Sequence, residues 1–79
     1  MNIYLLTQGV NRGWDTYDSA VVIAENEDTA RHTHPSAVDD WWKDNYYTTD
    51  WARPEDVNVS FIGTTDEDPQ VICASFNAG

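Results

Sequence analysis

Tyr17–Pro35, YDSAVVIAENEDTARHTHP, holds the clearest strand and the clearest helix start in the chain, and the other segments are placed against it. Ala20-Val21-Val22-Ile23-Ala24 is a run of β-branched and small residues without a charge, which suits a buried strand of ordinary length. Glu25-Asn26-Glu27-Asp28 then changes the pattern. Asn26 is a good N-cap, because its side-chain oxygen can accept from a free amide of the first turn, and Glu27 and Asp28 put negative charge at the positive end of the helix. Arg31, His32 and His34 fall in the last turn, where cations are favoured. Pro35 disfavours a helical His34, so a short helix of roughly two turns is expected to end there.

Working outward, Ile3-Tyr4-Leu5-Leu6-Thr7-Gln8 reads as a first strand bounded by Gly9, with Ile3, Leu5 and Thr7 on one face. Gly9 and Gly13 flank a turn, and Trp14–Asp18 leads into the second strand. After Pro35, Ser36 and Asp39 resemble a capping box, and Val38, Trp41 and Trp42 recur at helical spacing. A second short helix within 37–46 is therefore an option, set against the extended preference of Tyr46-Tyr47-Thr48-Thr49. Val57, Val59 and Phe61 alternate inward in a third strand, and Ile72, Ala74 and Phe76 in a fourth, which is expected to hairpin with the third across Thr64–Pro69. The result is one α+β domain over 1–79, an antiparallel sheet of about four strands with one short helix packed on one face.

At 79 residues the chain folds as a single domain and buries only about 60% of the surface its unfolded form exposes. Fourteen Asp and Glu against four Lys and Arg give a formal net charge of −10, and the acids run through the whole chain. Such a charge disfavours free nucleic acid and anionic membranes as partners and attracts a basic surface. With 41% hydrophobic and 13% aromatic residues, the chain is not an acidic disordered segment. No apolar run reaches the roughly 18 residues of a membrane span, and Met1-Asn2-Ile3-Tyr4 lacks the basic start of a secretory signal, so a cytosolic setting is the default. The single cysteine, Cys73, excludes an intrachain disulfide and leaves a packed thiol or an intermolecular bond.

Tests for catalytic or metal chemistry come out negative. Asp66-Glu67-Asp68 lacks the ligand spacing and central glycine of a calcium loop. His32 and His34, two apart, would diverge by about 200° on a helix and are read as surface histidines favoured by its C-terminus. Cys73 has no sequence-local base, and neither Gly9 nor Gly13 belongs to a phosphate-binding pattern. No enzyme, metal or cofactor is expected. The aromatic-rich segment 36–56 either covers an open part of the sheet or presents Trp and Tyr for recognition.

The segments IYLLTQ (3–8), YDSAVVIAENEDTAR (17–31), WARPEDVNVSFIGTT (51–65) and VICASFNAG (71–79) together resemble small phage or prophage proteins, nearest to anti-CRISPR proteins directed against the type I-C surveillance complex (Cascade). That resemblance implies a non-enzymatic inhibitor, acting in the cytoplasm of the infected bacterial host. It would bind the RNA-guided complex and stop target DNA from docking by occupying basic residues that read the duplex. The charge agrees. Ten net charges over a body roughly 30 Å across is about one per 3 Å, around half the linear density of duplex DNA. The acids expected to contact the partner are Asp39, Asp40 and Asp44 and the turn Asp66, Glu67 and Asp68. The alternative is a phage-encoded sponge or binding module for a nucleotide or another host protein, with Trp41, Trp42, Trp51 and Tyr46 stacking on a base.

Strand alternation also places Tyr4, Leu6, Ile62 and Cys73 on the sheet face opposite the helix. Either the Trp-rich segment folds over that face, or a second copy packs on it as a homodimer with Leu6, Ile62 and Cys73 at the contact, which is the arrangement favoured.

Overall fold

A computed structural model describes residues 1–43 and 45–77, Asn45 by its backbone alone. Four strands, β1 (Asn2–Thr7), β2 (Thr16–Ala24), β3 (Asn58–Thr64) and β4 (Gln70–Asn77), form one antiparallel sheet, with the helix α1 (Glu27–Arg31) following β2. The expected α+β class is the observed one. The two central strands are the apolar runs seen in the sequence, and α1 starts where the cap was expected: the Asn26 side chain accepts from the Thr29 amide at 2.8 Å. The helix is a little over one turn, shorter than anticipated, and stops at His32.

The strand order is β3-β1-β2-β4, which corrects the expected β3–β4 hairpin. The two late strands flank the β1–β2 pair, one on each side, and are therefore opposite edges. The acidic connection 65–69 therefore crosses the ends of β1 and β2, held by mutual backbone hydrogen bonds between Met1 and Thr65 (3.0 and 3.2 Å).

In β1 the covered face is also the reverse of the expected one, whereas Val57 and Val59 are on the covered side as expected. Tyr4 and Leu6 are buried, and Leu6 is fully so; they join Ala20, Val22, Ala24 and Ala30 of α1 in the core. Leu6 thus cannot serve as an outer dimer contact. The parity of β1 alone does not say which of its two apolar faces meets the helix, since Ile3/Leu5 and Tyr4/Leu6 are equally apolar. A bulge in β4 makes a further change: Val71 pairs with Val22 and packs on the core, while Ile72 is exposed. Val59 packs against the core as expected, whereas Phe61, although it meets Tyr4 edge-on, remains 61% exposed.

Because α1 is so short, residues 32–57 complete the covering layer. Instead of a second α-helix they form 3₁₀ turns at Trp41–Lys43, Asn45–Thr48 and Pro54–Asp56. Trp41 and Trp51 are fully buried in the core beside Leu6 and Val22, so the segment covers the same face as α1. The two indoles differ in polarity. Trp41 Nε1 donates to the His32 carbonyl at 2.8 Å, whereas Trp51 Nε1 is buried with no partner among the described residues. Trp→Phe at 41 takes the indole donor from the part-buried His32 carbonyl, while the same change at 51 removes an unpaired donor. Urea denaturation is therefore expected to show Trp41→Phe about 1–2 kcal/mol less stable than Trp51→Phe; equal losses would contradict these two environments.

Candidate functional site

The covering segment is positioned by His34, whose ring is 0% exposed rather than on the surface as its place near a helix end implied. The Ser36 backbone amide donates to Nδ1 at 3.0 Å, which requires a lone pair there and puts the proton on Nε2. Nε2 in turn faces the Tyr47 carbonyl and Asp50 Oδ1, both at 3.0 Å. The Ser36 hydroxyl also lies 2.7 Å from Nδ1, so serine, histidine and aspartate are linked in a row. That lone pair, however, is already engaged by the Ser36 amide inside one tight turn, and the ring is edge-packed by Tyr17, Trp41 and Tyr47. The imidazole acts as a clamp joining the start of the segment to residues 47–50.

What the clamp shapes is an open groove of about 790 Å³ between α1, the 37–42 loop and the start of β4. Asp28 and His32 come from α1 and its cap, Asp39, Asp40 and Trp42 from the loop, and residues 69–71 close the far side. Positive φ at Ala37 (62°) and Asp40 (52°) turns the loop back toward the helix. The His32 ring meets Trp42 edge-on at 4.8 Å and its Nδ1 donates to the Asp28 carbonyl at 2.8 Å, so one wall is aromatic and held.

The groove opens at a strongly acidic end of the molecule. Asn2 pairs with both Ala24 and Thr64, and Ile23 with Gln70; thus Glu25, Glu27 and Asp28, which follow β2, lie at the same sheet end as Asp66, Glu67 and Asp68. All six are exposed, as are Asp39 and Asp40. The fold therefore brings Asp39 and Asp40 into the groove and the 66–68 turn to its mouth through Pro69. Asp44, also expected at the contact, lies outside the described residues. Missed at the sequence level were Glu25, Glu27 and Asp28, the last two read only as helix-start charges; nothing local announces that a turn about 40 residues later crosses beside them.

Local cations offset little of this. Arg31 is turned inward, its guanidinium donating to the carbonyls of Pro54 and Val57. Lys43 stands 3.8 Å from Asp40 and 6.0 Å from the centre of the Trp42 ring, an exposed pair of small energetic weight that nonetheless marks where a cation sits in this wall. The base-stacking alternative loses two of its aromatics, since Trp41 and Trp51 are wholly buried; Trp42 is half-buried, and Tyr46 is exposed. No group of three or more potential metal ligands occurs among the described residues, and no helix is long and apolar enough to cross a membrane.

Compared with known proteins, the chain matches no family model, no curated protein and no solved structure.

His34→Ala opens a void and strips partners from the Ser36 amide and Asp50. A loss of about 3 kcal/mol is expected, a fall in Tm of roughly 10–20 °C for a domain of this size. Ser36→Ala keeps the amide bond and is expected to lose under about 1 kcal/mol. Calorimetry on the two variants checks the clamp, which is wrong if they fall together.

Proposed function

We propose that this chain is a non-enzymatic inhibitor, an anti-CRISPR protein of phage origin acting in the bacterial cytoplasm, that presents a DNA-imitating acidic surface to the basic DNA-binding surface of the type I-C surveillance complex. The observation that carries the reading is the convergence at one sheet end of two acid runs distant in sequence, 25–28 and 66–68, beside a groove bearing Asp39 and Asp40. Proteins that bind duplex DNA rely on Lys and Arg aimed at closely spaced phosphates. Exposed carboxylates with few local counterions offer such residues an equivalent field, and a competitor need not reproduce base edges, because the guide RNA and not the protein reads most of the target. The aromatic wall at Trp42 adds a site where an arginine can stack while pairing with Asp39 or Asp40.

The nucleotide sponge fits less well. A phosphate entering the groove would meet Asp28, Asp39 and Asp40, with no lysine or arginine among the described lining residues. Carboxylate repulsion opposes such a ligand.

Steering charges act mainly on the rate of encounter. Reversal of Asp39, Asp40, Asp66, Glu67 and Asp68 to Lys is therefore expected to lower the association rate with purified type I-C complex by about tenfold or more at low salt and to flatten its salt dependence. Surface plasmon resonance from low to high NaCl measures both. Unchanged association across that range would refute electrostatic imitation, and submicromolar calorimetric binding of any nucleotide would favour the sponge instead.

A further inference from the structure

The sheet has a second face that carries no part of the core. Strand register assigns Ile3, Leu5, Val21, Ile23 and Cys73 to it; the other paired positions there are Thr, Ser, Gly, Asn or Gln, and none is charged. Ile23 is only 3% exposed yet stands outside the core cluster, as do Ile3, Leu5 and Val21, so these side chains form a separate apolar layer. Both α1 and the Trp-rich segment lie on the opposite side, through Ala30, Trp41 and Trp51. At the margins, the bulges of the two edge strands leave Ile62 and Ile72 unpaired in the ladder and 55% and 50% exposed.

We infer that this face is the contact of a symmetric homodimer. Charge selects the occupant. A partner recognised by its cations would bury them here against paired positions that carry no carboxylate, Asp18 standing only at the bulge on the rim, an unfavourable exchange, whereas a second copy brings the same uncharged centre. A face-to-face pair about a twofold axis leaves the acids of the groove, Asp28, Asp39 and Asp40, on the outside, because they stand on α1 and the loop over the other side of the sheet, and only Ile23 and Gln70 belong both to the groove lining and to this face.

Area sets the strength. Four strands about 4.8 Å apart and six to nine residues long give a face of roughly 19 × 25 Å, so two protomers bury on the order of 1,000 Å², the lower bound of a specific interface. Two chains of −10 also repel each other. The dimer is thus a weak one, in the micromolar range, and added salt strengthens it by screening, the reverse of the salt response of a contact with a basic partner.

Sedimentation equilibrium of the chain alone, in reductant, tests the contact without reference to any partner. Expected are a rise from monomer to dimer mass across the micromolar range, a shift toward dimer when NaCl is raised, and a midpoint at least tenfold higher for Leu5→Asp. Folding of that variant is checked by circular dichroism. On the unaltered protein, the exposed Cys73 thiol provides a second reading, since a maleimide is expected to label it several-fold more slowly above the midpoint than below it. Monomer mass up to millimolar concentration overturns the inference, as does a dimer in which Cys73 labelling is independent of concentration, since the contact would then lie elsewhere.

Discussion

Everything on the covered side of this protein depends on pairing the backbone of residues 32–57, a segment with neither strand nor α-helix among its described residues that nevertheless carries two wholly buried tryptophans. A buried irregular chain loses water from amides and carbonyls that no ladder satisfies. Here side chains do that work: His34 at Ser36 and Tyr47, Trp41 at the His32 carbonyl, Asn11 at the carbonyls of Thr49 and Trp51, and Arg31 at those of Pro54 and Val57. The Asp50 carbonyl accepts from the Tyr17 amide, tying the segment to β2 as well. In a domain of this size the helix alone is too short to cover a four-stranded sheet, so these bonds decide whether a core exists.

The same anchoring separates charge from apolar surface. Acids occupy the strand end and the groove built on the covering layer, while the paired positions on the far face of the sheet are uncharged. Collecting like charges is unfavourable, and Arg31, one of only four Lys and Arg residues, is spent on carbonyls rather than on carboxylates. An arrangement that retains this repulsion instead of neutralising it gives the molecule a strong directional field, the property that encounter with a basic surface exploits.

Local chemistry and sum quantities were legible in the sequence. The apolar run 20–24, the Asn26 cap, the stop before Pro35, the edge runs 57–62 and 71–76 and the net charge each follow from neighbouring residues or from counting. Alternation also disclosed that the sheet has two apolar faces, though not which one the helix would take.

The tertiary structure alone decided the rest, because each remaining feature joins residues far apart in sequence. Tyr4 and Leu6, not Ile3 and Leu5, face α1, a choice between two equal patterns that only the connection from β2 into the helix resolves. One extra residue at the β4 bulge exchanges Ile72 for Val71. His34 beside a helix end looks like a solvent-facing cation until Trp41, Tyr47 and Asp50 close around it. The acidic end exists only because β3 and β4 are opposite edges, which carries 66–68 across to 25–28. Sequence determines what each segment prefers and what the whole chain carries, whereas packing between distant segments determines which preferences meet.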